Sequence, residues 1–187
     1  MRKGLAAACV ALTAVTVLAQ ETPITIRAGR LVDGTGAIRE NARITLDGSR
    51  IARVDRLRGA VTYDLSDATV MPGLIDTHVH LTAHFDADGR NHSDPDETPE
   101  QAILFAAENA YRTLMTGFTT VQSLGSAMDR YLRDAIGRGS LPGPRVLTSL
   151  GAVNARTGEP DEIRAYVRRL AESGADVVKI FASASIR

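Results

Sequence analysis

The sequence predicts an α/β protein in which a small β-rich segment precedes four strand–helix repeats. Two observations predict this fold class. Short alternating strands separated by Gly- and Asp-containing turns fill residues 22–71. From Gly73 onward, short apolar runs alternate with helical patterns, which indicates a parallel sheet. Repeats of this kind build either an open doubly wound sheet or a (β/α)8 TIM-type barrel.

The length of the chain limits how many domains it can form, and its charge limits which partners it can bind. The chain has 187 residues, of which 44% are hydrophobic and 24% charged, and its 22 Lys and Arg balance its 22 Asp and Glu. This length suits one modest domain or parts of two. Because the formal net charge is zero, no broad basic surface is available to recruit nucleic acid. We therefore expect no nucleic-acid partner.

The first segment, residues 1–19, has the pattern of a secretory signal peptide. A positive start, "MRK", precedes an uncharged, Ala-rich run from Leu5 to Leu18, and small residues precede a cleavage position after Ala19. The alternative is a membrane anchor, but about 14 apolar residues are short for a span of about 20. Cleavage would remove Cys9, the single cysteine. We therefore expect a periplasmic or secreted mature chain with no disulfide and no stable membrane anchor.

The segment from Thr22 to Met71 is predicted to be a small antiparallel β unit. Its alternating runs are separated by the turn sequences Gly-Thr-Gly and Asp-Gly-Ser, and "AVTYDLSDATVMPG" adds one or two further strands. The alternating runs are Ile24–Arg27, Arg43–Leu46 and Arg50–Val54. A free-standing β module is the bland alternative, but about 50 residues make a marginal one.

The repeats that follow contain four predicted strands and three predicted helices. The first helix has a clear start, with Thr98 as N-cap, Pro99 at the first helical position and Gln101 three residues after the cap. Its predicted apolar face comprises Ile103, Ala107, Ala110 and Leu114. The other two helices are predicted over Ser126–Ile136 and Pro160–Ser173. The strands are Leu74–Val79, "FTTVQSL", "PRVLTSL" and "ADVVKIFAS".

Two of the four histidines stand one residue apart in "MPGLIDTHVHL". Because side chains alternate along a strand, Asp76, His78 and His80 share one face. Two imidazoles in this arrangement can reach one metal ion, and Asp76 could hydrogen-bond an imidazole and orient it. A pair of surface histidines at a strand end is the alternative. The position after an apolar first strand favours the metal site, because (β/α) folds place active sites there.

Lys179 lies within the last predicted strand. Lysine is seldom buried without a partner, and burial shifts it toward its neutral, reactive amine. The alternative is a lysine near the strand end whose side chain reaches solvent. The His78 and His80 pair on the first strand of the same predicted sheet favours a functional lysine.

Four stretches resemble the amidohydrolase superfamily of metal-dependent hydrolases. They are most similar to its imidazolonepropionase-like and exported Xaa-Pro dipeptidase-like members. The resemblance implies that residues 20–71 are the N-terminal part of a small β-sandwich. It also implies that residues 72–187 are the first four units, and so the first half, of a (β/α)8 TIM-type barrel. The four stretches are "AGRLVDGTGAIRENARITLDGSRIARV", "VMPGLIDTHVHL", "GFTTVQSLG" and "ADVVKIFAS".

The resemblance also implies a chemistry. His78 and His80 would bind the first of two divalent ions, commonly zinc. Lys179 would be carboxylated by carbon dioxide and bridge the two ions as a carbamate. A metal-activated water would then cleave a carbon–nitrogen bond in a small-molecule or dipeptide-like substrate.

The resemblance further implies two more histidines, from the fifth and sixth barrel strands, and an aspartate after the eighth. The sequence contains no histidine after His92. We therefore expect an N-terminal fragment that is inactive as it stands. The alternative is a non-catalytic exported domain that binds one divalent ion or serves as a structural half barrel.

His84 and His92 lie in the polar stretch "HFDADGRNHSDPDETPE", which follows the first strand of the repeats. We predict a solvated loop for this stretch. The alternative is a loop that reaches over the mouth of the site.

Overall fold

The computed structural model describes residues 23–56, 58–85, 88–90 and 97–182. They divide into two compact units on either side of the Pro72–Gly73 bond. We call residues 23–72 the β unit and residues 73–182 the β/α unit. The predicted signal peptide, residues 1–19, and His92 lie outside the described residues. Within the described ranges, each helix is too short or too polar to cross a membrane.

The β unit is a four-stranded sheet with the order β3-β2-β1-β4. The pairing of β1 with β2 and of β2 with β3 is antiparallel, as predicted. β4 pairs with β1 in parallel, so the prediction of a wholly antiparallel unit is wrong. The chain leaves β3 at one edge and crosses to the other, and a strand reached by a crossover can run parallel to its neighbour. The strands are β1 (Ile24–Val32), β2 (Ile38–Asp47), β3 (Arg50–Arg56) and β4 (Tyr63–Val70).

The core of the β unit lies on one face of β1 and β2. Its buried side chains are Ala28, Leu31, Ala42 and Ile44. The pairing of β1 with β4 shifts register at Gly29. A Cβ atom at Gly29 would collide with the backbone carbonyl of Ser66. The close approach of these two strands therefore requires glycine at this position.

The β/α unit alternates strands with helices, as predicted. β5, β6 and β7 form a three-stranded parallel sheet in that order. Its core comprises Leu81, Ala106, Ala110, Val121, Leu132 and Val146. The strands are β5 (Leu74–Val79), β6 (Phe118–Ser123), β7 (Arg145–Thr148), β8 (Ala152–Val153) and β9 (Lys179–Ile180). The helices are α1 (Pro99–Met115), α2 (Asp129–Gly137) and α3 (Pro160–Glu172).

The fourth predicted strand is much shorter than "ADVVKIFAS" suggests. Only Lys179 and Ile180 form β9, and they pair with β8 rather than with β7. The backbone N–H groups of Asp176 and Val177 both point to the carbonyl of Thr148. Since one carbonyl takes both donors, the regular ladder cannot begin before Lys179.

The predicted start of α1 is confirmed. The Thr98 hydroxyl accepts the Gln101 backbone N–H at 3.3 Å, and the Gln101 side chain accepts the Thr98 N–H at 2.9 Å. Of the predicted apolar face, Ala110 is buried as expected, whereas Ala102 and Ala106 are buried in place of Ile103 and Ala107. Alanine on this face allows close packing in the core, while the larger Ile103 flanks the contact.

The other two helices differ from prediction at their ends: α2 ends at Gly137, one residue after the predicted Ile136, and both helices show one further difference. α2 begins at Asp129 rather than at Ser126, because the Ser126 hydroxyl instead accepts the Met128 backbone N–H within a turn. α3 ends at Glu172, one residue before the predicted end at Ser173.

Candidate active site

The His-x-His pair lies at the carboxyl end of β5. The rings of His78 and His80 are both exposed, and their centroids are 5.3 Å apart at an angle of 62°. The Asp76 carboxylate accepts the backbone N–H of His78 at 2.9 Å. Its observed partner is therefore the strand backbone at His78 rather than an imidazole.

Lys179 contacts this pair directly. Its Nζ lies 3.0 Å from Nε2 of His78, across 101 residues of sequence. The same Nζ lies 5.0 Å from the ring centre of Phe181. Lys179 is half-buried. Its exposure is therefore intermediate between the two predictions, a buried lysine and a lysine whose side chain reaches solvent. The fold thus brings together the histidine pair and the lysine that the sequence singled out separately.

The contact between His78 and Lys179 links the hydrogen-bonding roles of the two groups. When the lysine is a charged ammonium it can only donate, and Nε2 of His78 then accepts with the imidazole proton on Nδ1. A divalent cation at Nε2 would need the same lone pair. Cation binding at this nitrogen therefore requires that the ammonium leave or lose its charge.

The donor set fits part of the coordination sphere of a divalent ion. Imidazole nitrogen suits zinc and other borderline divalent metals, and His78 and His80 offer two such nitrogens. Within the described ranges, no three His, Cys, Asp or Glu side chains converge as a metal site. The lysine amine is the third polar group of the cluster, and as a carbamate it would offer oxygen ligands instead.

Asn109 on α1 fixes the turn that follows His80. Its Nδ2 donates to the carbonyls of Leu81 and Ala83 at 2.9 Å and 2.8 Å. This contact ties the strand end that carries the histidines to a helix of the core. The sequence reasoning missed Asn109, although its position three residues after Ala106 places an amide beside the buried face of α1.

Asp129 was also missed. It is fully buried at the first turn of α2, and its Oδ2 accepts the Thr148 hydroxyl at 3.2 Å. Burial raises the pKa of Asp129 above its usual range, while the hydroxyls of Ser123 and Thr148 and the positive field of His80 act in the opposite direction. The pKa of Asp129 therefore depends first on its burial and then on the hydroxyls at the ends of β6 and β7.

A sequence signal for Asp129 did exist. Asp129, Leu132 and Ile136 recur at helical spacing, and Leu132 belongs to the core while Ile136 packs against it. A charged residue on the apolar side of an amphipathic helix indicates a buried charge with a specific role.

His84 corrects the solvated-loop prediction. Its ring is only 8% exposed, stacks on Phe105 with a centroid distance of 3.8 Å, and places Nε2 3.2 Å from the Glu97 carboxylate. The chain after β5 packs back on α1 because an aromatic face and a carboxylate there satisfy both parts of the imidazole.

Comparisons with known proteins agree with this fold. A solved Xaa-Pro dipeptidase with methionine bound in its active site is 29% identical, with a TM-score of 0.74. The alignment covers 85% of this chain and 47% of that one. A prolidase complexed with N-methylphosphonate-L-proline is 25% identical, with a TM-score of 0.69, and 87% of this chain and 47% of that chain are covered.

A third solved structure, A. niger ochratoxinase, shares the fold at 21% identity and a TM-score of 0.67, with 87% of this chain and 47% of that chain covered. The chain thus spans about half the length of these relatives. No curated protein sequence matches it significantly.

The family match covers the whole β/α region that carries the candidate site. Residues 69–186 match the amidohydrolase family. The fold class predicted from the sequence, an α/β chain forming the first half of a (β/α)8 barrel after strands of a small β-sandwich, is confirmed. The chain belongs to the amidohydrolase family and is similar to its Xaa-Pro dipeptidase members.

Proposed function

We propose that this chain carries the first part of the active site of a divalent-metal-dependent hydrolase that cleaves carbon–nitrogen bonds. The observation that carries the proposal is the 3.0 Å contact between His78 Nε2 and Lys179 Nζ, beside the ring of His80. Partly exposed polar contacts contribute little to stability. A cluster of three nitrogen groups from distant parts of the chain is therefore better explained by ligand binding than by folding.

The proposed substrates are amides, cyclic amides or dipeptides. Support comes from relatives, because the similar Xaa-Pro dipeptidase holds methionine and the similar prolidase holds N-methylphosphonate-L-proline. We propose a small, dipeptide-like substrate for a protein of the relatives' length. The family relationship supports hydrolysis as the reaction class.

His78 and His80 are proposed to hold the first of two divalent ions, with zinc as the proposed metal. When bound, such ions lower the pKa of water so that it attacks a carbonyl at neutral pH. Asp76 keeps the backbone of His78 in place, and Asn109 keeps the turn after His80 in place. These contacts hold the backbone that carries both imidazoles before any ligand arrives.

Lys179 is proposed to react with carbon dioxide. The neutral amine nitrogen attacks the carbon of CO2, a carbon–nitrogen bond forms, and the amine releases a proton to solvent. An anionic carbamate then replaces the cationic ammonium that lies on His78 Nε2. The reaction frees the imidazole lone pair and adds oxygen ligands for a second cation.

Zinc analysis of the purified chain tests the metal site. We expect the wild type to retain stoichiometric zinc after dialysis, and His78→Ala to lose most of it. Thr77→Ala is the matched control, because Thr77 is an exposed neighbour on the same strand. Equal zinc content in all three proteins, or no zinc in the wild type, would contradict the proposal.

Intact-mass spectrometry tests the carbamate. We expect zinc and bicarbonate together to add the mass of CO2 to the wild type, and Lys179→Arg to lack this addition. Addition that persists in Lys179→Arg would place the modification elsewhere and contradict the assignment of Lys179.

We propose that residues 1–187 alone do not turn over substrate. The resemblance implies two further histidines and an aspartate, and no histidine follows His92. Proline release from Xaa-Pro dipeptides is the measurement. Turnover that is abolished by His78→Ala would contradict the proposed inactivity while supporting the metal site.

We also propose export to the periplasm or beyond, with cleavage after Ala19. The sequence pattern of residues 1–19 supports it. Amino-terminal sequencing of the protein recovered from the producing cells tests it, and a mature chain that begins at Met1 would contradict it.

A second candidate is a non-catalytic exported domain that binds one divalent ion or acts as a structural half barrel. It is favoured by the lack, within the described residues, of a third His, Cys, Asp or Glu beside the histidine pair. A zinc stoichiometry of one that is indifferent to bicarbonate would support this candidate over the binuclear site.

A further inference from the structure

A buried carboxylate lies beside the carboxyl ends of the parallel strands β6 and β7. Asp129 has no exposed surface, and its Oδ2 accepts the hydroxyl of Thr148 at the end of β7. The hydroxyl of Ser123, at the end of β6, lies close enough to lower the pKa of the Asp129 carboxyl. Ser123 Oγ in turn accepts the backbone N–H of Leu81 at 3.2 Å. Leu81 directly follows His80, so Asp129 is two contacts away from the histidine strand.

The same network extends to the lysine strand. The Thr148 carbonyl accepts the Asp176 backbone N–H at 2.8 Å, and the Asp176 carboxylate accepts the Thr148 N–H at 2.9 Å. Lys179 begins β9 three residues later. Thr148 therefore joins Asp129 to the segment that presents Lys179, just as Ser123 joins it to the segment that presents His80.

The charge of Asp129 is costly for the fold. Its Oδ1 has no partner of hydrogen-bond geometry within the described residues, and burial of an ionised carboxylate is unfavourable unless the charge is compensated. A neutral amide of the same shape would keep the bond from Thr148 and avoid the buried charge. Folding stability therefore does not explain why a carboxylate stands here.

We propose that Asp129 is a positioning residue, whose buried negative charge orders the ends of β5, β6 and β7 and favours a divalent cation at His78 and His80. This role rests on the proposed metal site. The hydroxyls of Ser123 and Thr148 transmit the position of the carboxylate to the strand ends, and its uncompensated charge acts through the low-dielectric interior. Binding of a cation would compensate the charge of this buried carboxylate, whose Oδ1 has no hydrogen-bond partner within the described residues.

The test compares Asp129→Asn with Asp134→Asn in the full chain. Asp134 is the matched control because it lies on the same helix, is exposed, and its carboxylate pairs with its neighbour Arg133. Zinc affinity is measured by competition with a chromophoric chelator. Thermal unfolding and the proton–nitrogen spectra of the imidazoles are recorded on the metal-free proteins.

We expect Asp129→Asn to weaken zinc binding about tenfold, as for other residues that act on a metal through its ligands. Its metal-free unfolding midpoint should be unchanged or higher, because a buried charge is removed. The imidazole signals of His80 should shift, and those of His84 should not. Asp134→Asn should leave all three measurements unchanged.

The outcomes separate this role from the proposed metal site. Wild-type zinc binding with no change in Asp129→Asn overturns the positioning role and leaves the metal site intact. If the wild type binds no zinc, the metal site fails, and the positioning role then stands or falls on the His80 signals alone. A lower metal-free midpoint with unchanged zinc affinity would make Asp129 merely structural and overturn the proposal.

A second variant covers the case in which Asp129→Asn does not fold. Thr148→Val removes the hydroxyl that holds Oδ2 but keeps the charge. We expect weaker zinc binding in this variant too, because the carboxylate loses its fixed orientation. Unchanged zinc affinity in a folded Thr148→Val protein would contradict the proposed link between Asp129 and the strand ends.

Discussion

In the β unit, carboxylates accept hydrogen bonds from residues two positions along the chain. In the β/α unit, the carboxylate of Asp129 is buried in the interior. Asp33 accepts the Thr35 hydroxyl at 2.6 Å, and this bond holds the pKa of Asp33 below its usual range. Asp64 is held low in the same way by Ser66. Burial raises the pKa of Asp129 instead. The difference teaches that charge stabilises local structure in the β unit, whereas in the β/α unit it is kept at a cost near the candidate site.

The two units also differ in the sequence distance of the contacts that matter. β1 and β2 are neighbours in sequence and close through the turn at Asp33, whose carbonyl accepts the Gly36 N–H. The decisive contact of the β/α unit joins His78 to Lys179 across 101 residues. Contacts between sequence neighbours therefore build β1, β2 and β3, β4 joins them through contacts such as Thr25–Thr62 that are 37 residues apart, and a contact of longer range builds the candidate site.

The largest expected effect is a loss of stability in the β unit that leaves the β/α unit unchanged. Gly29→Ala would force a Cβ atom against the Ser66 carbonyl and should cost about 3 kcal/mol in the free energy of unfolding of the β unit. Hydrogen exchange should show lost protection at Ala28 and Leu31, with Val121 of β6 unaffected. Gly34→Ala is the control, because a Cβ there meets nothing within 4 Å. Equal loss in both units would show that they unfold together and break the comparison.

A smaller effect should be confined to the β/α unit. Asn109→Ala removes two hydrogen bonds to the carbonyls of Leu81 and Ala83. Leaving these carbonyls without their partner should cost about 2 kcal/mol, measured by urea unfolding. Zinc binding should weaken as well, because the turn after His80 is freed. Glu108→Ala, at an exposed position on the same helix, is the control, and equal losses in the two variants would contradict a specific role for Asn109.

The capping box of α1 should contribute less. Thr98→Ala removes the hydroxyl that accepts the Gln101 N–H, and the loss of a helix cap should cost about 1 kcal/mol. Thr98→Ser keeps the acceptor and should restore most of this stability. The thermal unfolding midpoints of the three proteins provide the measurement. A Thr98→Ser protein as unstable as Thr98→Ala would assign the effect to the methyl group instead.

The smallest effect is a pH dependence of opposite sign in the two units. Because folding lowers the pKa of Asp33 from 3.8, its stabilisation is present above that value and is lost as the pH falls through the folded pKa. Folding raises the pKa of Asp129 above 3.8, so its stabilising contribution is present at low pH and is lost as the pH rises through the raised value.

Two substitutions isolate these contributions. The unfolding midpoint of Asp33→Asn, relative to the wild type, should fall as the pH rises from the lowered folded pKa of Asp33 to 3.8, and should level off above it. The midpoint of Asp129→Asn, relative to the wild type, should rise as the pH rises from 3.8 through the raised folded pKa of Asp129. A midpoint series over acidic and neutral pH is the measurement, and parallel curves for the two variants would remove the distinction between the units.

Much of the fold could be predicted from the sequence because its signals are local. The start of α1 depends on three side chains within four residues, Thr98, Pro99 and Gln101, and its prediction is confirmed. The strand runs of the β unit are confirmed as well. The parallel pairing of β4 could not be predicted in this way, since strand direction depends on which edge the chain crosses to.

In the candidate site too, features that depend on neighbouring residues could be predicted from the sequence, and features that depend on distant residues could not. Strand alternation alone predicts that His78 and His80 share a face, and their rings lie 5.3 Å apart. The ring of His84 was assigned to solvent because its neighbours in sequence are polar. It is buried instead because Phe105 and Glu97 pack against it. The residues next to His84 in sequence do not indicate either contact.

By itself, the sequence determined most of the strand runs, the start of α1 and the shared face of the histidine pair, because each depends on residues within one turn of helix or a few strand steps. Only the tertiary structure decided that Lys179 lies on His78 and that Asp129 is buried between the strand ends. Burial and long-range contacts depend on how the elements pack. The groups that packing places around a charge decide whether burial of that charge destabilises the fold and how its pKa shifts.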